Sequence, residues 1–144
     1  MKVLKWVLFV PYILVLSYIV FFARRRNVLI WHDELVNLIP IKLTVESFQS
    51  DAVNYWNFFS NLLGNIALFI PLPLFLISLF LLKNKFTIIF IGIFISLLIE
   101  LVQFTWRIGV PDIDDVLLNT LGVVLGIILY KQFLSVSYAK IASL

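Results

Sequence analysis

The sequence contains no cysteine, and this absence excludes disulfide bonds, thiolate nucleophiles and cysteine-ligated metal centres. Charged residues are scarce as well: they make up 13% of the 144 residues, whereas about 25% is usual for a soluble domain. Histidine occurs once, as His32, without the spacing of a zinc-binding HExxH motif or the nucleophile elbow of a hydrolase. We therefore expect no separate soluble domain, no metal site and no cofactor.

What the sequence has instead is apolar runs of membrane-spanning length. Hydrophobic residues make up 62% of the chain, the mean hydropathy is +1.08, and long uncharged runs are typical of transmembrane helices. The predicted fold class is all-α: a single integral membrane bundle over residues 1–144, with a short interfacial helix near 44–54. The four predicted transmembrane helices span about 6–22, 58–82, 86–106 and 112–130. Pro71 predicts a kink in the second.

The positive charge of the chain fits a membrane location. The net charge is +3, but the lysines lie at the ends of apolar segments, where membrane topology and lipid headgroups explain them. The expected partner is therefore the lipid bilayer and not nucleic acid. Four spans place both termini on one side, and basic residues are slightly more numerous there. We expect cytoplasmic termini in the cell membrane, with the polar loops facing outward.

Acidic residues are concentrated between residues 100 and 119, a stretch that holds half of the chain's eight carboxylates and is flanked by apolar runs. On predicted helix three, Ser96, Glu100, Gln103 and Arg107 recur at helical spacing and form one stripe. Glu100 lies about two turns, or roughly 9–10 Å, inside the end of this helix. An ionisable group at that depth requires a partner and is a functional-site hypothesis.

Predicted helices two and four present matching polar faces at the same membrane surface. Asp112 is expected to cap helix four, Asp114 points away from the shared face, and Gly122 and Gly126 form a GxxxG motif for close helix packing. Caps and interhelical hydrogen bonds are the structural alternative for each residue alone, but they do not explain why three helices converge. The predicted polar cleft consists of Asn61, Asn65, Glu100, Gln103, Arg107, Asp112, Asp115 and Asn119.

Two contacts are expected within this cleft. Glu100 should accept a hydrogen bond from Asn61, Asn65, Asn119 or a donor on another helix, because an unpaired buried charge is costly. Arg107 should reach toward Asp112 or Asp115 across the short link between the helices, as a charge-assisted pair.

Several short motifs, in a fixed order, resemble the VanZ-like family of small multi-pass bacterial membrane proteins over residues 35–130. One departure is Pro73, where the family usually has glycine. The resemblance implies the membrane fold and a link to low-level resistance to the glycopeptide teicoplanin. The motifs are Asn37-Leu38-Ile39-Pro40, Asn61-Leu62-Leu63-Gly64-Asn65, Phe69-Ile70-Pro71, Ser96 through Glu100 with Gln103, Arg107, and Asp112-Ile113-Asp114-Asp115 with Asn119 and Gly122.

Three functions are compatible with these residues, and a non-enzymatic role is favoured because no catalytic residue is assignable. The first is a cleft that engages a cell-wall precursor or a lipid-anchored antibiotic and modifies how the envelope interacts with glycopeptides or lipoglycopeptides. The second is a metal-dependent enzyme acting on a lipid-linked phosphate, with the carboxylates holding a hard cation. The third is a small proton-coupled transporter, although Glu100 lies away from the midplane that such carboxylates usually occupy. Oligomeric state is not indicated.

Overall fold

The computed structural model describes residues 2–23, 36–41, 45, 55–109 and 111–142. Within these ranges all regular elements are helices and none is a β-strand, and four helical segments are long and apolar enough to cross a membrane. The predicted all-α fold is thereby confirmed. A π-helical turn, Ile19–Ala23, extends the first helix. The helices are α1 (Lys2–Tyr18), α2 (Tyr55–Phe69), α3 (Pro71–Ser78), α4 (Lys85–Trp106) and α5 (Ile113–Ala142).

The second predicted span is divided into two helices. Its break lies at Ile70, directly before Pro71, and the membrane-length segment runs over Phe58–Ser78. Prolines at 71 and 73 have no N–H to donate to the preceding turn, so the backbone can separate there. The helical geometry ends earlier than the predicted residue 82, because Leu81 adopts a left-handed conformation with φ 57°.

The ends of the other elements differ from prediction in two places. α5 continues to Ala142, although its membrane-length part ends at Gln132, close to the predicted boundary at 130. Residues 131–142 contain neither glycine nor proline, so nothing in the chain interrupts the helix after the apolar part. The predicted interfacial helix near 44–54 lies outside the described residues, apart from Val45.

α5 is the central helix of the bundle and packs against α2, α3 and α4. The side chains of Phe69, Ile88 and Val123 are almost completely enclosed, and Val123 of α5 fills the space that Gly92 of α4 leaves open. The outward faces carry large apolar side chains, among them Leu14 and Phe90. Exposed apolar faces of this kind are compatible with contact to lipid, where they cost nothing.

Two glycines of α5 allow α2 and α3 to approach at backbone distance. A Cβ atom at Gly122 would overlap the carbonyl oxygen of Ile66, and one at Gly126 would overlap that of Ile70. Both positions therefore need glycine because of the neighbouring backbone, as the GxxxG motif predicts. The second contact lies at the break before Pro71, so the interruption of the helix and the small-residue surface of α5 meet at one place.

α1 packs with aromatic side chains against the second span and also makes two hydrogen bonds to its backbone. The Tyr12 hydroxyl donates to the carbonyl of Leu68, and the Lys5 ammonium donates to the carbonyl of Ser78, both at 2.9 Å. These carbonyls lie next to the break in the second span and at its end, where the helix leaves acceptors without an N–H partner. α1 thereby reinforces the interrupted span.

The close approach of α5 predicts unequal responses to alanine at three glycines. Gly122→Ala and Gly126→Ala should each destabilise the protein by about 1–3 kcal/mol, the usual cost of overpacking, because a backbone carbonyl cannot move aside. Gly64→Ala is the matched control, since a Cβ there has no atom within 4 Å. Thermal unfolding of the three variants in detergent provides the measurement, and an equal loss at all three positions would contradict the packing described here.

Candidate functional site

A half-enclosed cavity lies between the π-helical turn, α2, the last turns of α4 and the first turns of α5. Its volume is about 460 Å³. Its lining includes both polar and apolar side chains. Residues of the α1 end, α2, α4 and α5 line it: Ile19, Val20, Ser60, Asn61, Gly64, Asn65, Leu68, Phe69, Ile99, Glu100, Gln103, Asp115 and Asn119.

Glu100 is buried in the wall of this cavity, with 8% of its surface exposed. Its Oε2 accepts a hydrogen bond of 3.0 Å from the backbone N–H of Asp112, the residue that precedes α5. This contact supplies a donor at the depth of Glu100, and the donor is the backbone of the link before α5. It also places a carboxylate at the positive end of the helix dipole, where negative charge is favoured.

Asn65 joins α2 to α5 beside Glu100. Its Nδ2 donates to Asp115 Oδ1 and, at 3.3 Å, to Asn61 Oδ1. Asn65 and Asp115 are both buried, so the pair makes an interhelical hydrogen bond with little exposure to solvent. The carboxylate of Asp115 can only accept when ionised, which fixes the orientation of the Asn65 amide.

Two further amides complete the wall, and each leaves its oxygen unpaired. Asn119 Nδ2 donates to Ser96 Oγ at 2.8 Å, which joins α5 to α4. Gln103 Nε2 donates to the Val20 carbonyl at 3.3 Å, which joins α4 to the π-helical turn. The oxygens Gln103 Oε1 and Asn119 Oδ1 are buried without a hydrogen-bond partner. Buried acceptors are normally paired, so both require an explanation.

The segment 36–41 is fastened to the start of α5 by a short parallel bridge between Asn37 and Asp112. Asn37 donates its backbone N–H to Pro111 and accepts from the N–H of Ile113, both at 3.0 Å. Its side chain donates to Asp112 Oδ1 at 2.7 Å. Asp112 Oδ1 also accepts from the Asp114 N–H at 2.9 Å, which confirms Asp112 as the N-cap of α5.

Asp114 has a role that the helical-face argument did not identify. It points away from the cavity, as expected, but its buried Oδ1 accepts from the N–H of Ile41 and so holds the far end of segment 36–41. The sequence carried one signal of this contact, since the motif that contains Asn37 and the motif that contains Asp114 both belong to the set that resembles the family. Spacing along one helix cannot reveal a partner that lies more than 70 residues earlier in the chain.

Arg107 does not make the expected ion pair with any carboxylate of the described residues. Its backbone is left-handed, with φ 54°, and its N–H closes the last turn of α4 on the carbonyls of Gln103 and Phe104. The side chain is exposed. The carboxylates of Asp112 and Asp115 instead accept from Asn37, Asn65 and the start of α5.

Six of the eight predicted site residues line one cavity, whereas Asp112 caps the neighbouring helix and Arg107 lies outside. The carboxylates of Asp112, Asp114 and Asp115 bind separate donors and share no coordination point. Among the described residues, no group of three histidine or acidic side chains is placed to hold a metal ion. The described wall offers carboxylates, amides and the Ser60 hydroxyl, and so both acceptors and donors of hydrogen bonds.

Asp112 lies just outside the membrane-length part of α5, and its ionisation is linked to folding. Burial raises the pKa of Asp112 above its ordinary range, while the hydrogen bonds from the Asp114 N–H and Asn37 oppose that rise. The unfolded carboxyl titrates at about 3.9. Because the folded pKa is higher, the wild type loses stability as the pH rises from below 3.9 through the folded pKa.

Asp112→Asn should remove this pH dependence and keep the cap, because its Oδ1 can accept the same two hydrogen bonds. We expect the melting temperature of the variant, relative to wild type, to increase as the pH rises from below about 3.9 through the folded pKa, where the wild-type carboxylate becomes ionised. Asn37→Ala, which removes a donor to the same oxygen, should be destabilised instead. A relative melting temperature for Asp112→Asn that falls with rising pH would contradict the sign.

Comparison with known proteins places this fold and site in a family. The family model described as VanZ/LLP1 matches residues 9–135. The chain is 32% identical over 138 residues to Protein VanZ of Enterococcus faecium, an alignment that covers 90% of this chain and 74% of the relative. No solved structure matches. The matched region contains every residue of the cavity and of the α5 cap, and the chain belongs to the VanZ/LLP1 family.

Proposed function

We propose that this membrane protein binds the polar headgroup of an envelope amphiphile in the cavity between α2, α4 and α5. The amphiphile would be a cell-wall precursor or a lipid-anchored antibiotic, and its capture would change how the envelope interacts with glycopeptides or lipoglycopeptides. The observation that carries this proposal is the mixed lining of the cavity. Ile19, Leu68 and Ile99 line it together with carboxylate and amide side chains.

The location of the cavity supports an amphiphilic ligand. Glu100 lies six residues before the end of α4, or about 9 Å along the helix, and so below the membrane surface. A headgroup bound there would bring its apolar chain to the depth of the lipid. Polar and ionisable groups at that depth are costly, and they are characteristic of sites for substrates and ligands.

The proposal also requires that the polar end of the bundle faces outward, with the termini in the cytoplasm. Because the chain has no native cysteine, single cysteines can report the orientation. Lys83 and Arg107 are both exposed and lie at opposite ends of α4. In intact cells, a membrane-impermeant maleimide should label Arg107→Cys, and it should label Lys83→Cys only after permeabilisation. The reverse pattern would place the cavity on the cytoplasmic side and exclude the proposed outward function.

The proposed role in antibiotic response is tested by expression in a teicoplanin-sensitive Gram-positive host. Wild type should raise the minimal inhibitory concentration above the vector control. Asp115→Asn should remove this gain, because it takes charge from the cavity but keeps the acceptor for Asn65. Gly64→Leu should do the same by filling space that is open in the wild type.

Gln132→Leu is the control for this measurement, since Gln132 lies on the exposed surface of α5 beyond the cavity. Immunoblots of membrane fractions establish that all proteins are present at equal amounts. Equal sensitivity of vector, wild type and variants to teicoplanin and to a lipoglycopeptide would exclude the antibiotic part of the proposal. A gain in resistance that all three variants keep would exclude the cavity as its source.

A further inference from the structure

Four elements surround the cavity, and three of the junctions between neighbouring elements are held by hydrogen bonds across the wall. Gln103 joins the π-helical turn to α4, and Asn119 joins α5 to α4 through Ser96. Asn65 joins α2 to α5 through Asp115. The fourth junction lies between α2 and the π-helical turn. Within the described part of the chain, these two elements do not pack as closely as α2 packs against α5.

The exposure of the lining residues locates an opening of the cavity at this fourth junction. Ser60 and Asn61 of α2 line the cavity and are exposed, whereas the lining side chains of α5 are buried. Ile19 and Val20 line the cavity from the π-helical turn and are half-buried. A Cβ atom at Gly64 would have no atom within 4 Å, so space is open between them as well. The side opening is the gap that these residues border.

The side opening lies at the depth of the bilayer. Both elements that border it belong to membrane-length segments. Large apolar side chains beside it are exposed: Tyr18 and Phe22 flank the lining residues of the turn, and Phe59 and Leu63 flank those of α2. Exposed apolar side chains in such segments contact lipid tails, where they cost nothing. The opening therefore faces lipid.

The polarity of the side opening changes with depth along α2. Ser60 lies two residues inside the membrane-length segment, or about 3 Å along the helix, and the polar Asn61 follows it. Leu68 lies ten residues inside, or about 15 Å, and the hydrogen bond from the Tyr12 hydroxyl to its carbonyl closes the deep end of the opening. Polar groups thus border the opening near the membrane surface, and an apolar side chain borders it below.

Building on the proposed function, we infer that the bound amphiphile enters from the bilayer through the side opening and that its alkyl chain lies in this opening. The headgroup passes Ser60 and Asn61 into the cavity, and the chain lies against Leu68 and the surrounding lipid. The ligand is therefore a molecule anchored in the same leaflet as the cavity. A water-soluble molecule without such a chain does not use this route.

The first test asks which phase the side opening contacts. Since the chain has no native cysteine, single nitroxide labels can be attached in proteoliposomes at Gly64→Cys in the opening, at the lipid-facing Leu63→Cys and at the exposed Arg107→Cys beyond α4. Power saturation then measures collisions with oxygen, which concentrates in lipid, and with the water-soluble complex Ni-EDDA. The Gly64→Cys label should match Leu63→Cys in both. Collisions with Ni-EDDA as frequent as at Arg107→Cys, or shielding from both reagents, would overturn the inference.

The second test asks whether a lipid chain occupies the opening. The probe is phosphatidylethanolamine with a diazirine in the middle of one acyl chain, added to vesicles of phosphatidylethanolamine and phosphatidylglycerol. After illumination, peptide mass spectrometry should find cross-links at Leu68. Gly64→Leu should abolish these cross-links because it fills the opening, while cross-links at the neighbouring Leu63 persist and show that the variant is folded and inserted.

Ile19→Trp narrows the opening from the π-helical turn and is the second variant, with the same expected loss at Leu68. Wild type without cross-links at Leu68, or cross-links there that both variants leave unchanged, would contradict occupation by a lipid chain.

The outcomes separate this inference from the proposed function. A side opening that is shielded or faces water, together with teicoplanin resistance that Gly64→Leu removes, would overturn entry from the bilayer and leave the proposed function in place. Labels and cross-links as expected, together with equal sensitivity of vector and wild type to teicoplanin, would support the side opening and its occupant and exclude the antibiotic role alone.

Discussion

The constraint on which this structure depends is the pairing of a carboxylate that lies below the membrane surface. Glu100 cannot be solvated by lipid, and an unpaired charge in that position would cost several kcal/mol. Its acceptance of the Asp112 N–H ties the last turns of α4 to the start of α5. The same end of α5 is capped by Asp112 and bound by Asn37, so the segment 36–41 is held against the helix terminus that Glu100 contacts.

A second constraint, close backbone packing, holds the bundle beneath the cavity. In a membrane, an apolar side chain packs as well against lipid tails as against another helix. Helices are therefore held together by close packing at small residues and by hydrogen bonds between them. Gly122 and Gly126 bring α5 against the carbonyls of Ile66 and Ile70, and the Asn119–Ser96 bond joins α5 to α4 one turn nearer the cavity. Along one face of α5, the polar residue Asn119 is followed by the two closely packed glycines, Gly122 and Gly126.

Helices and their polar faces were predictable because each depends on residues close together in the chain. Spacing of three and four residues placed Glu100 with Gln103, and Asp115 with Asn119, and the structure brings both pairs to one cavity. Contacts that depend on distant segments were not predictable in this way. The binding of Ile41 by Asp114 joins loops far apart in the chain, and the exposed position of Arg107 follows from a left-handed turn that no residue pattern specified. The family resemblance indicated that these motifs belong together but gave no geometry.

The unpaired oxygens of Gln103 and Asn119 do not contribute to the stability of the bundle. A buried acceptor without a donor costs about 1–3 kcal/mol, and replacing both partners with apolar groups is often neutral. A chain selected only for a stable bundle would therefore gain from leucine at such positions. This chain instead keeps both amides, and they take part in the interhelical bonds that join the elements around the cavity, as Asn65 and Asp115 do. Local departures from complete polar satisfaction are characteristic of functional or strained sites, and the proposed function places such a site here.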